Sequence, residues 1–110
     1  MGFLIYDSIA IEFDDKVLAH LQVVIASKLR RRESFLMSWR DSTDTGHGRS
    51  AIWLEPSIPL FFRFDNARGP ALDREWVERL VQNASTAGGL HVTDPDGNEL
   101  TARANPPIVK

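Results

Sequence analysis

Three histidines, three lysines, several acids and one short basic run are the side chains in this 110-residue sequence whose types could do chemistry. His20, His47 and His91 share neither a helix-face spacing nor a His-x-His spacing, so they do not read as a metal-ligand set. The chain has no cysteine, which removes thiolate ligands, thiolate nucleophiles and disulfides. No metal and no cofactor is expected. His47, between Gly46 and Gly48 and near Asp44, has the mobility and polarity of a general base. A polar loop histidine more often has no such role, so no catalytic residue is assigned. Ser34, Ser38 and Ser50 lack a nucleophile elbow and any His or Asp at a fixed spacing. Asp7, Asp14 and Asp15 could gather around a divalent cation, but helix capping accounts for Asp14 without one. Asp94-x-Asp96-Gly97-Asn98 begins like a calcium loop. The closing Glu is missing, since position 105 is Asn and Pro106 follows, so the segment reads as a turn. Gly46-x-Gly48-Arg49 is too short for a phosphate-binding loop and leads into a strand rather than a helix.

The basic residues carry the strongest local signal. Arginine outnumbers lysine among the 13 positive side chains, and Lys28 with Arg30, Arg31 and Arg32 makes one dense cluster. Arg40, Arg49 and Arg63 would extend it if the ends of the strands lay beside it, with Trp39 and Trp53 as stacking platforms for a single strand. Against nucleic acid stands the formal charge of -2, and a basic helix end also complements the helix dipole. Nucleic-acid binding through the Arg30–Arg32 end is therefore an alternative and not the favoured reading. The surface singled out for binding is Arg31, Arg32, Trp39, Arg40, His47 and Arg49, because strand and loop ends gather polar groups there.

These side chains must be placed by one small domain, since single cores span roughly 100–200 residues. Phe3 to Tyr6 and Ile9 to Phe13 read as two strands joined at Asp7-Ser8, a hairpin. Asp14 and Asp15 open a helix whose Val17, Leu18, Leu21, Val24, Ile25 and Leu29 form one apolar stripe. Ser34 to Arg40 is a third strand with Phe35, Met37 and Trp39 on one face. Asp41 to Gly48 is a polar loop. Ser50 to Glu55 and Leu60 to Phe64 follow as strands, and the third to fifth strands are expected to form an antiparallel meander. A second amphipathic helix runs from about Leu72 to Ser85 and stops at Gly88-Gly89. Leu90 to Thr93 can be a short strand. Asp94 to Gly97 turns the chain, residues 98–102 are a candidate hairpin arm, and Asn105 to Lys110 is a loose tail.

The order β-β-α-β-β-β-α-(β) implies an α+β fold, an antiparallel sheet with two helices packed on one face. The domain is expected over residues 1–93, with 94–110 as the turn or arm and tail. The sheet's second face holds residues such as Leu36, Trp53 or Phe61, so a homodimer through that face is expected unless the C-terminal segment covers it. No run approaches the roughly 18 apolar residues of a membrane span, and the N-terminal apolar run lacks a basic flank. A soluble, cytoplasmic domain with no membrane partner is the expectation.

The ordered set Gly2-x-Leu4-x-Tyr6-Asp7-Ser8, Phe13-Asp14-Asp15, Leu18-Ala19-His20-Leu21-Gln22, Lys28-Leu29-Arg30-Arg31, Ser38-Trp39-Arg40-Asp41, Ile52-Trp53-Leu54 and Trp76-Val77-Glu78-x-Leu80 resembles a family of short bacterial proteins of unknown function. Members of that family often carry the label "ATP-dependent DNA ligase". The resemblance covers roughly residues 1–92 and brings no catalytic residues with it. Ligation of that kind needs an adenylated lysine in a Lys-x-Asp-Gly motif with acids for the metal. Lys16 precedes Val17-Leu18, Lys28 precedes Leu29-Arg30, and Lys110 ends the chain, so none occupies that motif. The chain is also too short for a nucleotidyltransferase domain with its OB-fold partner. The expectation is a non-catalytic binding or accessory module.

Overall fold

In the computed structural model, which describes residues 1–43 and 48–105, the expected hairpin is present as β1 (Gly2–Tyr6) and β2 (Ile9–Phe13). Leu4 lies opposite Ile11, and Tyr6 opposite Ile9. The two-residue turn places Asp7 at φ 56°, a left-handed conformation that Asp tolerates better than most side chains. Helix α1 (Asp15–Arg30) buries Leu18, Ala19, His20, Leu21, Val24 and Ile25. Asp14 stands at its N-cap but makes no side-chain cap bond. Strands β3 (Phe35–Asp41), β4 (Arg49–Leu54) and β5 (Leu60–Arg63) lead to α2 (Arg74–Ala84). Asp73 caps α2, its carboxylate accepting from the backbone of Glu75 and Trp76. Strands β6 (Leu90–His91) and β7 (Thr101–Asn105) complete the described chain. Among the described residues no helix is long and apolar enough to cross a membrane.

The fold is α+β, and its sheet is mixed, not wholly antiparallel. The strand order is β4-β3-β7-β2-β1-β5, with β6 also alongside β3. Strand β3 runs antiparallel to β4 but parallel to β6 and to β7. The parallel pairings arise because the chain passes through α2 before returning beside β3, a crossover that a hairpin cannot make.

The expected meander of β3, β4 and β5 does not form. Strand β5 pairs with β1, placing Phe62 opposite Leu4 and Leu60 opposite Tyr6. Pro56 and Pro59 lie in the connection, where a tight hairpin back onto β4 would need backbone donors that proline lacks. The free edge of β1 gives Leu60 and Phe62 apolar neighbours instead. The chain thus passes from one sheet edge to the other through Glu55–Pro59. In a flat sheet five interstrand steps of about 4.8 Å would separate those edges by about 24 Å. Six Cα steps reach only about 20–22 Å. The sheet therefore curls, and the backbone N–H of Glu55 donates across the concave side to the Tyr6 hydroxyl at 3.1 Å.

Residues 94–105, expected as a turn and arm beyond a domain of residues 1–93, include a strand within the sheet. Strand β7 pairs with β2 on one side and β3 on the other. Its inward side chains are only Ala102 and Ala104, a weak strand signal that sequence patterning undervalues. Residues 106–110 lie outside the described residues.

The concave face carries the core: Leu4, Tyr6, Ile11, Phe13, Phe35, Met37, Trp39, Leu54 and Leu90 are buried against Leu18, Leu21, Val24, Ile25, Trp76 and Leu80 of the helices. Burying each such side chain contributes about 1.5–3 kcal/mol. Gly89 is needed here for two reasons. Its φ is 82°, and any Cβ would collide with the Leu36 carbonyl oxygen as the chain enters β6.

Candidate functional site

Strand register sorts the predicted surface residues onto different sides of the molecule. Trp39 points to the concave face with Phe35 and Met37 and is 2% exposed, so it offers no stacking platform on the surface. Arg40 lies on the convex face, directly opposite Arg49 on β4. Arg31 and Arg32 precede β3, and Arg40 lies near its far end. Phe35 and Arg40 alone are five residues apart, about 17 Å along a strand. The Arg31–Arg32 end and the Arg40–Arg49 pair are therefore separate features. His47 falls outside the described residues.

The basic end of α1 is partly spent on Glu33. Arg31 Nε reaches a Glu33 carboxylate oxygen at 3.2 Å, and Lys28 Nζ reaches the other at 3.2 Å. Hydrogen bonds from Arg31, then Lys28, hold the Glu33 carboxyl below its ordinary value of 4.5. Lys28 also sits 5.4 Å from the centre of the Phe35 ring.

On the convex face the structure assembles a polar cluster that the sequence reading did not foresee. Ser38 Oγ lies 3.0 Å from His91 Nδ1, and Arg49 Nη2 lies 3.4 Å from Ser38 Oγ. Arg49 is in turn paired with Glu99. Local spacing gives Ser38 no fixed histidine, because 53 residues separate the two and the parallel pairing of β3 with β6 is what joins them. A serine beside an imidazole can serve as a nucleophile. Ser38, however, is only 7% exposed. Its hydroxyl sits between an imidazole and a guanidinium, where it links β3, β4 and β6.

Around that cluster the convex face is uncovered by either helix. Register places Phe3, Ile5, Phe61 and Arg63 at one end and Leu36, Ala51 and Trp53 at the other. Trp53 is 56% exposed and Phe61 59% exposed, one on each edge strand. The residues expected on a second apolar face, Leu36, Trp53 and Phe61, are all there.

The concave face is open beyond the helices. Ile9, Trp39, Asp41, Ser50, Ile52 and Ala104 line a cleft of about 350 Å³ there, at the small end of the range for ligand pockets. Asp41, read as the start of a loop, is instead the last residue of β3 and continues the inward series Phe35, Met37, Trp39. One Asp41 carboxylate oxygen accepts the Ser50 hydroxyl at 2.7 Å. That carboxylate has no cationic partner among the described residues. Ser50 lies directly across from Trp39. Trp39 Nε1 is, among the described residues, the only buried side-chain polar atom with no hydrogen-bond partner. Leaving such a donor unsatisfied costs about 1–3 kcal/mol. The other buried indole is satisfied, Trp76 Nε1 donating to the Thr93 carbonyl at 2.9 Å. The signal was present in the sequence as a polar residue at the end of an alternating apolar series.

Two of the acids weighed as cation ligands, Asp15 and Asp94, are engaged structurally. Asp15 accepts from the backbone of Asp65 and Asn66. Asp94 accepts from the backbone of Asp96 and Asn98, an Asx-type turn. Among the described residues no group of three or more His, Asp or Glu is placed to hold a metal ion.

Comparison with known proteins gives no solved structure and no curated protein that matches this chain. A family model does match: residues 1–95 correspond to a domain of unknown function, DUF7882, and the chain belongs to that family.

Proposed function

We propose that this member of the family is a non-catalytic binding module whose contact surface is the convex face of the sheet. The observation that carries the reading is the pair of exposed aromatics, Trp53 and Phe61, on the two edge strands of a face that no helix covers. Exposed apolar area of this kind marks interaction surfaces. The favoured partner is a second copy of the chain. Edge aromatics that face the same way suit an isologous contact, in which each copy's Trp53 end meets the other's Phe61 end. A cytoplasmic setting accords with the absence of cysteine.

Sedimentation analysis tests this. The wild-type chain is expected to dimerise at about 10–100 μM, and Trp53→Lys combined with Phe61→Lys to remain monomeric with an unchanged melting temperature. A monomeric wild type at those concentrations defeats the second-copy reading.

A second reading rests on Arg40 and Arg49. Like charges directly opposite across strands repel, and among the described residues Glu99 pairs with Arg49 and not with Arg40. A phosphate backbone would relieve that repulsion, with Trp53 available for base stacking. Fluorescence anisotropy with a single-stranded oligonucleotide at low salt discriminates between the readings. Binding that weakens in Arg40→Ala and falls steeply with salt supports nucleic acid; no binding at low salt dismisses it. Neither reading draws on the ligase label, for which no adenylation motif exists in this chain.

A further inference from the structure

We infer that the free edge of β4 takes an extended peptide strand from a partner protein, with an acidic side chain across from Arg49 and an apolar one across from Trp53. The hydrogen-bond pattern fixes which backbone groups that edge offers. The Asp41 N–H donates to the Gly48 carbonyl at 2.9 Å, so these two residues form a hydrogen-bonded pair of the antiparallel β3–β4 ladder. Such pairs recur at every second residue. In this register the backbone of Ser50, Ile52 and Leu54 therefore points to β3, and that of Arg49, Ala51 and Trp53 points away from it. The far side of β3 agrees: the Ser38 carbonyl accepts from Val92, and the Arg40 N–H donates to Leu100. Strand β4 ends the strand order, so no strand among the described residues meets its outward N–H and C=O groups. Exposed edges are commonly blunted by short length, proline or lysine. The other edge, β5, is 4 residues long and follows Pro59. Strand β4 is 6 residues long and contains neither proline nor lysine.

The side chains along the edge set the chemistry of the added strand. Backbone hydrogen bonds would hold it, and alternate side chains would select it. On the convex face Arg49 lies opposite Arg40. Glu99 pairs with Arg49, while Arg40 makes no ion pair among the described residues. An acid on the incoming strand answers that excess positive charge. Trp53, exposed on the same face, favours a β-branched neighbour. On the concave face Ser50, Ala51 and Ile52 line the cleft, so an apolar side chain across from Ile52 lies at its rim. An antiparallel strand meets these demands when its apolar residue precedes its acid by four positions. This contact runs along the edge and uses backbone groups, so it does not depend on the second-copy contact across the convex face.

The test is a titration of the full wild-type chain with the peptide acetyl-Ser-Val-Val-Thr-Thr-Glu-Ser-amide, read by residue-resolved amide hydrogen exchange. Its first Val falls across from Trp53 and its Glu across from Arg49. At about 1 mM peptide, exchange at the Arg49, Ala51 and Trp53 amides is expected to slow at least about twofold, with Ser50 and Ile52 unchanged. Backbone N-methylation of the peptide residues across from Arg49, Ala51 and Trp53 is expected to abolish binding. N-methylation across from Ser50 and Ile52 is expected to leave it intact, because those groups face away from β4. Replacing the peptide Glu by Lys is expected to weaken binding about fivefold. No protection at about 1 mM peptide overturns the proposal. So does equal loss from the two N-methylation patterns, or a Lys peptide that binds as tightly. Protection of the same amides without peptide, growing with chain concentration, makes the occupant a second copy and also overturns it. Peptide protection in a chain that sediments as a monomer upholds this proposal while defeating the second-copy contact, and a dimer that takes no peptide does the reverse.

Discussion

His20 Nε2, on the buried face of α1, accepts the backbone N–H of Asp73, the residue that caps α2, at 2.8 Å. Its Nδ1 lies 2.7 Å from the Lys16 carbonyl oxygen. A carbonyl only accepts and a backbone N–H only donates, so the ring is the neutral tautomer with its proton on Nδ1. The same ring stacks on Trp76 with centroids 4.1 Å apart. One fully buried side chain therefore joins the two helices by a hydrogen bond and a ring contact.

His20→Phe keeps most of the stacking area and removes both hydrogen bonds. The Asp73 N–H is left without its acceptor, at a cost of about 1–3 kcal/mol. Urea unfolding should show a lower midpoint with an unchanged slope. A midpoint equal to wild type would mean that the bond contributes nothing.

Gly89 permits the close approach of β6 to β3. Gly89→Ala adds a Cβ at a φ of 82° and drives it into the Leu36 carbonyl, so a loss of about 1–3 kcal/mol or more is expected. Gly97→Ala is the control. Its φ is 90°, but nothing lies within 4 Å of the added carbon, so it carries the conformational strain without the collision. Equal losses in the two variants would refute the steric account.

Glu33 supplies a pH prediction. Its folded carboxyl lies below the ordinary value of 4.5, chiefly through Arg31 and then Lys28. A lowered carboxyl stabilises the fold above the unfolded value, and that contribution fades as pH falls through the folded one. The effect should be small, because the pair is solvent-exposed and screened by salt. Carbon-detected NMR titration should place Glu33 below an ordinary glutamate, and Arg31→Ala should raise it toward 4.5. A Glu33 midpoint that Arg31→Ala leaves in place would contradict the assignment.

Much of the local structure was legible from side-chain periodicity. The inward series Phe35, Met37, Trp39 and the outward Leu36 and Trp53 follow from the two-residue repeat of a strand. The stripe on α1 follows from the helical repeat. Capping was legible less reliably. Asp14 and Asp73 are the same residue type at the same kind of position, yet only Asp73 turns its carboxylate back onto its helix.

The sequence by itself determined the α+β class, the two helices, most strand positions and the absence of thiol chemistry. Those properties depend on composition and on contacts a few residues apart. Only the tertiary structure decided which strands are neighbours. It sent β5 to β1, inserted β7 between β3 and β2, and curled the sheet to bring its edges within reach of Glu55–Pro59. Ser38 with His91 and His20 with Asp73 are products of that arrangement. Strand pairing across long separations depends on the complementarity of whole faces and edges, which no local pattern encodes. The candidate sites sit at those long-range junctions. The basic cluster at Lys28 to Arg32, the loudest local signal, resolves in part into a helix end tied to Glu33.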